Sequence, residues 1–156
     1  MRLVEILSPD RILVDPGGVI VQSKTDAMRL LSRMLAPTLA AEEELVEQVL
    51  DERERLQSTG IGDGVAIPHA SLETAPKQTA ALLLCPRGVE FDSIDGAPVN
   101  IIFGVVGPKR ATGEHLRILA RISRMLRDPV TRDALLHSED PDEAFRFIEQ
   151  KDQAPP

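Results

Sequence analysis

One stretch of the chain, residues 53–70, constrains its fold and function more than any other. It reads Arg-Glu-Arg-Leu-Gln-Ser-Thr-Gly-Ile-Gly-Asp-Gly-Val-Ala-Ile-Pro-His-Ala. Glycines at every second position from Gly60 to Gly64 allow backbone conformations that are closed to residues with a Cβ, and they leave N–H groups unshielded. Residues 65–67 form an apolar run that predicts a short buried strand, and Pro68 fixes the backbone angle just before His69. The sequence therefore presents a histidine at the end of a strand.

This stretch resembles an anion site more than a nucleotide site. A Walker A loop ends in Gly-Lys-Ser/Thr, and a Rossmann fingerprint has G-x-G-x-x-G opening a helix; neither pattern is present. Arg53 is predicted in the last turns of a helix that enters the loop, where its guanidinium can fold back toward a phosphoryl group. From these residues alone, the simpler interpretation is a turn-rich loop whose histidine only ends a strand.

Residues 58–69 closely resemble the active-site signature of one family of enzyme IIA domains. These domains belong to the bacterial phosphoenolpyruvate-dependent phosphotransferase system (PTS), and the family includes fructose, mannitol and nitrogen-regulatory types. The resemblance runs from Val4-Glu-Ile-Leu-Ser-Pro through Phe91-Asp-Ser-Ile-Asp-Gly-Ala-Pro-Val to His115-Leu-x-x-Leu-Ala. It implies an α/β fold with a mixed central β-sheet flanked by helices on both faces, as in mannitol-specific IIA. It also implies a phosphocarrier, in which a histidine accepts a phosphoryl group from an HPr-like protein and passes it on.

The resemblance implies which residues carry the chemistry. His69 matches the phosphorylated histidine, His115 a second active-site histidine that donates a hydrogen bond to the phosphoryl group, and Arg53 an arginine near that group. In the family, the attacking atom is the ring nitrogen remote from the backbone, and no metal or other cofactor is required. A backbone carbonyl near His69 is expected to hold the ring through a hydrogen bond from its other nitrogen. The loop expected to cradle the phosphoryl group comprises Ser58, Thr59, Gly60, Gly62 and Gly64. Ile61, Val65 and Ile67 are candidates for an apolar patch on which the carrier docks, although Val65 and Ile67 suit the core equally well.

Three residues depart from the family pattern: Gln57 and Ala70 stand where glycine is common, and Asp63 stands where asparagine is frequent. The charge of Asp63 is expected to weaken retention of a phosphoryl dianion unless its side chain faces away. A free-standing chain resembles the nitrogen-regulatory branch, in which the phosphorylation state controls partner proteins.

Three other functions stay open or are weakened by these residues. One is a sugar-transport IIA that passes its phosphate to a fructose or mannitol IIB, and another is a binding regulator that has the fold without phosphotransfer. A hydrolase is disfavoured, because no acid, metal ligand or serine motif accompanies the histidines.

Composition limits the class of protein. With 156 residues, 42% hydrophobic and 28% charged, we expect one domain over residues 1–150 and a flexible C-terminal tail over residues 151–156. A net charge of −7 disfavours nucleic acid and anionic membranes as partners and suits a positively charged phosphocarrier. No apolar run approaches the ~20 residues of a membrane span. We therefore expect a cytoplasmic protein without membrane insertion, and the sequence does not indicate its oligomeric state.

Hydrophobic periodicity predicts alternating strands and helices. Strands are expected at residues 12–14, 19–21, 65–67, 79–85, 89–91 and 99–106. Helices are expected at residues 23–37 (ended by Pro37), 41–56, 114–128, 130–136 and 141–150, with 109–114 as a flexible connection. In the helix that starts near residue 114, the predicted buried stripe includes Leu116, and Arg117, Arg121 and Arg124 form a solvated basic face. His115 lies in its first turn, where the positive end of the helix dipole favours a bound anion.

Overall fold

A mixed β-sheet between two layers of helices carries the fold in the computed structural model, which describes residues 1–152. The strands are β1 (Ile12–Val14), β2 (Gly60–Gly62), β3 (Val65–Ala66), β4 (His69–Leu72), β5 (Thr79–Val89) and β6 (Val99–Pro108). The α-helices are α1 (Lys24–Leu39), α2 (Glu43–Leu56), α3 (Thr112–Leu126), α4 (Pro129–Leu136) and α5 (Pro141–Asp152). Short 3-10 helices cover Leu3–Glu5, Pro9–Arg11 and Lys109–Ala111.

The long strands β5 and β6 form an antiparallel pair at the centre of the sheet. The strand order is β1-β5-β6-β3-β2, and β4 also pairs with β6. Both β3 and β4 run parallel to β6 and lie one after the other along its free edge, with Val65 opposite Ile101 and His69 opposite Val105. His69 therefore opens the second of two short strands that share one edge.

Both faces of the sheet are buried, which explains the continuous apolar runs at residues 80–85 of β5 and 101–106 of β6. Alternate residues of β5 contribute to different cores. Ala81, Leu83 and Cys85 pack with the residues of α1 and α2. Ala80, Leu82 and Leu84 pack with those of α3, α4 and α5. The predicted mixed sheet with helices on both faces is confirmed.

Residues 19–21, predicted as a strand, form an irregular, bent loop instead. The carboxylate of Asp15, whose residue is 1% exposed, accepts the backbone N–H groups of Val19, Ile20 and Val21 at 3.1, 3.0 and 2.8 Å. Because a side chain satisfies these donors, they are not available to a neighbouring strand. The strand prediction was wrong at this place.

Two helix predictions also need correction. Pro37 does not end α1 but lies inside its last turn, and the helix continues to Leu39 before Ala40 takes a left-handed backbone with φ 52°. In α3 the buried positions are Ile118, Ile122 and Leu126, whereas Leu116 is 60% exposed. Both faces of α3 carry apolar residues at helical spacing, so periodicity did not identify the face that packs on the sheet.

The end of the described chain is anchored to its beginning. α5 extends to Asp152, two residues beyond the predicted boundary. The buried Asp152 carboxylate accepts the backbone N–H of Leu3 at 2.6 Å and the Arg121 Nε–H at 2.5 Å. The predicted tail was therefore wrong for Lys151 and Asp152, and residues 153–156 lie outside the described part. Arg121 likewise takes part in an ion pair and does not belong to a purely solvated stripe.

The predicted flexible connection at residues 109–114 is ordered as a 3-10 helix followed by the first turn of α3. Among residues 1–152, none of the helices has both the length and the apolar character that crossing a membrane requires.

Candidate active site

Two residues, Ile67 and Pro68, separate β3 from β4, and His69 is the first residue of β4. Pro68, in the break, has no N–H to give to a sheet. The segment stays attached on both sides, since the Ile67 N–H donates to the Thr59 carbonyl at 3.0 Å and the Pro68 carbonyl accepts the Val105 N–H at 2.9 Å. The carbonyl of Ile67 lies 2.7 Å from Nδ1 of the His69 ring. The break thus turns a backbone carbonyl toward the histidine side chain.

This contact determines which nitrogen of His69 is free. A carbonyl oxygen can only accept, so Nδ1 carries the proton and Nε2 keeps its lone pair. Burial lowers the pKa of His69 below its ordinary value of 6.5, against the opposing effect of the Ile67 hydrogen bond, and the positive charge of Arg53 lowers the pKa further. Near neutral pH the ring is therefore uncharged, with its nucleophilic nitrogen unblocked.

His115 lies beside His69 although the two are 46 positions apart (115 minus 69). The ring centroids are 5.8 Å apart, with the planes tilted by 53°. Nδ1 of His115 lies 2.8 Å from Oε1 of Gln78, a residue that the sequence did not single out. Burial lowers the pKa of His115, and the neighbouring His69 lowers it further. The fold thus brings together the two histidines that the sequence selected.

An open depression of about 370 Å³ contains both histidines and Arg53. Arg53 lies near the C-terminus of α2, and its Nη1 donates to the carbonyl of Gln57 at 2.9 Å. Lys109 and Glu52 also line the depression, and sequence reasoning missed Lys109. Lys109 directly follows β6, which runs parallel to β4 and ends beside it. Its position directly after this strand was therefore the sequence signal that could have identified it. The remaining lining residues are Val49, Leu56, Ala70 and Ser71.

The glycine-rich loop is a β-hairpin. β2 and β3 pair antiparallel. The last residue of β2, Gly62, has a positive φ of 98°, and so do the two residues that connect the strands, with 57° at Asp63 and 76° at Gly64. Asp-Gly and Asn-Gly are the favoured pairs where both central residues of a hairpin turn have positive φ. This requirement accounts for the aspartate at position 63. Asp63 is exposed, and the charged side chains that shift the pKa of His69 are Arg53 and Glu54.

The predicted phosphate cradle takes a different role in the structure. The Thr59 N–H donates to the Glu54 carboxylate at 3.1 Å, the Thr59 hydroxyl donates to it at 2.6 Å, and the Gly60 N–H donates to Ser58 Oγ at 3.1 Å. Two of the N–H groups expected to face an anion are therefore already satisfied. Nor do Ser58, Thr59, Gly60, Gly62 and Gly64 line the depression around His69. The loop supports the strand before His69, and its role as a phosphate cradle stays a prediction.

Glu54 holds this loop in place from α2. Besides Thr59, its carboxylate pairs with Lys24 of α1 at 2.8 Å. One buried carboxylate therefore connects two helices to the loop that precedes β3. Glu54 follows Arg53 directly, so one turn of α2 supplies a residue to the depression and another to its support.

The apolar residues expected around the site divide into two groups. Val65 and Ile67 are buried in the core, and Ile61 is exposed. Leu56, which the sequence analysis did not select, lines the depression and is 81% exposed. Within residues 1–152, no three His, Cys, Asp or Glu side chains are grouped closely enough to hold a metal ion.

Comparison with known proteins gives one family. A family model described as "Phosphoenolpyruvate-dependent sugar phosphotransferase system, EIIA 2" matches residues 5–151. A nitrogen regulatory protein of Pseudomonas aeruginosa is 39% identical over 137 residues, 86% of each chain. One from Bradyrhizobium diazoefficiens is 37% identical over 128 residues, 82% of each chain.

Solved structures agree with this result. The crystal structure of the nitrogen regulatory protein IIA-Ntr from Neisseria meningitidis matches with a TM-score of 0.87 and 32% identity, over 94% of this chain and 98% of that one. The fold alone is shared with Escherichia coli enzyme IIAMTL, solved in complex with phosphorylated enzyme IIBMTL. That match has a TM-score of 0.75 and 20% identity, and it covers 93% of this chain and 99% of the other.

Proposed function

The chain belongs to the EIIA 2 family of the phosphoenolpyruvate-dependent sugar phosphotransferase system, and on that premise we propose that it carries a phosphoryl group on Nε2 of His69. Membership implies a role as a phosphotransfer carrier in general. The specific donor, the accepting atom and the partner that follows are our proposals.

One observation carries this proposal: Ile67 accepts the proton of His69 Nδ1 at 2.7 Å, which leaves Nε2 with a lone pair. In the transfer step, the phosphorus–nitrogen bond of a donor phosphohistidine breaks, and the donor nitrogen keeps that electron pair. The lone pair of His69 Nε2 forms the new bond to phosphorus, and Nδ1 keeps its proton, which it donates in a hydrogen bond to the Ile67 carbonyl. A PO₃ unit moves between two imidazoles, and neither metal nor water is consumed.

The charges around His69 support this step. Phosphoryl transfer depends on positioning and on stabilising the equatorial oxygens. Arg53 and Lys109 line the depression and supply positive charge, while Glu52 lines it with the opposite sign. His115 completes the site from the start of α3, where a helix N-terminus favours an anion.

We propose an HPr-like phosphocarrier as the donor, acting in the cytoplasm. Leu56, exposed at the edge of the depression, provides apolar area for docking, and the net charge of −7 suits a basic carrier. No part is proposed for nucleic acid or for membrane insertion.

For the downstream role we favour regulation, in which the phosphorylation state controls binding to a target protein. This choice rests on the relatives named as nitrogen regulatory proteins. Transfer to a fructose or mannitol IIB is the alternative, supported by the word "sugar" in the family description and by the IIAMTL–IIBMTL complex. A binding regulator without phosphotransfer is the alternative from another class.

The test is the intact mass of the protein after incubation with enzyme I, an HPr-like carrier and phosphoenolpyruvate. We expect an acid-labile gain of one phosphoryl group in the wild type and in His137→Ala, whose histidine is exposed on α4's C-cap. His69→Ala should gain none. If His69→Ala gains the group, the assigned acceptor is wrong, and if no variant gains it, the non-catalytic regulator is left.

A further inference from the structure

Gln78 is the partner of His115 and is itself 1% exposed. Its side chain packs on Gly107, where an added Cβ would lie only 1.9 Å from Gln78 Oε1. Because glycine at 107 makes this space, the amide reaches between the end of β6 and the start of α3. Gln78 Nε2 donates to the carbonyl of Ala111 at 3.5 Å, and Oε1 faces His115 Nδ1 at 2.8 Å.

The Ala111 contact determines the orientation of the Gln78 amide. A backbone carbonyl accepts only, so the NH₂ of Gln78 must point toward Ala111 and its oxygen toward His115. An amide oxygen also accepts only. Nδ1 of His115 therefore carries a proton in the neutral ring, and Nε2 is the nitrogen left for the depression.

We infer that Gln78 is a positioning residue for phosphoryl transfer: it keeps a proton on His115 Nδ1, so that His115 contacts a phosphoryl oxygen through Nε2 only after binding a second proton. This inference rests on the proposed function. It goes beyond it by coupling phosphorylation of His69 to proton uptake at His115.

The reason lies in the matching state of the two rings. With Ile67 holding Nδ1–H of His69 and Gln78 holding Nδ1–H of His115, each neutral ring has a bare Nε2. A bare nitrogen repels a phosphoryl dianion, whereas a protonated one donates a charge-assisted hydrogen bond to it. The phosphoryl group therefore requires the imidazolium form of His115.

Several charged groups determine when that proton binds. Within the depression, a positive charge on His115 is disfavoured by His69 of β4, Arg53 of α2 and Lys109, and it is favoured by Glu52 of α2. On α3 itself, the charged residue next to His115 is Glu114. Burial and His69 lower the pKa of His115 in the unphosphorylated protein, which keeps the ring neutral. A dianion within a few ångströms acts in the opposite direction, typically by one to three pKa units.

The first experiment requires no donor. ¹⁵N NMR of the histidine rings is recorded over a pH series for the wild type, Gln78→Leu, Gln78→Glu and the exposed control Gln150→Leu. We expect neutral His115 to be protonated at Nδ1 in the wild type and the control. Gln78→Leu should gain the Nε2–H form, and Gln78→Glu should raise the pKa of His115. A wild-type ring protonated at Nε2, or a Gln78→Leu ring like wild type, overturns the inference.

The second experiment measures phosphoryl occupancy of His69 at equilibrium with the same HPr-like carrier from pH 5.5 to 8.5. The ratio of phosphorylated to unphosphorylated His69, divided by the same ratio in Gln78→Leu, should rise as the pH falls. It should rise by about tenfold per pH unit across the region where only the phosphorylated form binds the extra proton. If the phosphorylation of His69 depends on pH equally in the wild type and in Gln78→Leu, the coupling to proton uptake is overturned.

The two experiments separate the two hypotheses. If the wild type is never phosphorylated although its His115 tautomer is as inferred, the proposed function fails and the positioning of His115 by Gln78 stands. Gln78→Glu serves as the second variant if Gln78→Leu does not fold.

Discussion

The ring of His69 lies 5.8 Å from the ring of His115, and each donates its Nδ1 proton to an oxygen of the protein, on Ile67 and Gln78 respectively. Both Nε2 atoms are therefore left for one open depression. In the proposed transfer His69 is the nucleophile and His115 its proton-dependent partner, and this determines what individual substitutions should do.

Replacing Arg53 by alanine should slow the phosphorylation of His69 by about 10²-fold. This is the loss expected when a hydrogen-bond donor to the charge that develops in the transition state is removed. It should also raise the pKa of His69, because the Arg53 charge lowers it. Arg53→Lys should recover part of the rate, since lysine keeps the charge but not the forked geometry. Rapid-quench kinetics and NMR titration measure both effects. Arg55→Ala, on the same helix but outside the depression, is the control; equal losses in both variants would contradict the role of Arg53.

Lys109→Ala should slow phosphoryl gain by less than about tenfold, because an exposed charge contributes about 1 kcal/mol or less. Lys109→Glu should have a larger effect, and both should diminish at high salt. The neighbouring Arg110 does not line the depression, so Arg110→Ala is the matched control. An effect of Lys109→Ala that persists in 1 M salt would argue for a structural cause.

Asp63→Asn should leave phosphoryl gain within about twofold of wild type and change stability by less than about 0.5 kcal/mol. Both residues suit the positive φ of 57° at this turn. Asp63→Val should cost about 1–3 kcal/mol, since a β-branched residue is strained there. Urea unfolding and the phosphoryl assay distinguish the two expectations. A marked gain in phosphoryl retention for Asp63→Asn would show that the charge acts on the site after all.

The free energy of unfolding should fall as the pH drops below about 6.5, the ordinary pKa of histidine. His69 and His115 both have a lowered pKa in the folded chain, so the unfolded chain binds more protons in this window. Stability therefore rises with pH across it and is lost on acidification. Urea midpoints from pH 5 to 8 should show a shallower slope for His115→Asn than for wild type or His137→Asn. An unchanged slope in His115→Asn would refute this account.

Asp152→Ala should destabilise the protein by about 2 kcal/mol, the scale for charged hydrogen bonds whose partners stay behind. Its carboxylate holds the Leu3 N–H and Arg121. Thermal and urea unfolding report the loss, with the exposed Asp142→Ala on the same helix as control. Well below the melting temperature the phosphoryl assay should remain unchanged, because Asp152 is not part of the depression.

Apolar periodicity along the chain predicted most of the strands and helices. The resemblance to a known family selected His69, His115 and Arg53, and their roles stay predictions. The sequence did not predict Gln78 or Lys109, whose importance depends on where β6 ends relative to β4. The face of α3 was ambiguous because both sides carry apolar residues, and packing on the sheet decided between them. The glycine loop suggested a cradle, but only the hydrogen bonds of Glu54 and Ser58 reveal that the N–H groups of Thr59 and Gly60 are occupied.

The parallel pairing of β4 with β6 has a consequence for the protein during its synthesis. Parallel strands cannot pair through a tight turn, so residues 69–72 wait until residues 105–108 have emerged, and His115 follows later still. A nascent chain that already contains His69 therefore has neither the neighbouring ring nor Lys109. Since the depression exists only once the start of α3 has docked, the proposed transfer to His69 requires a chain that is synthesised and folded at least through His115.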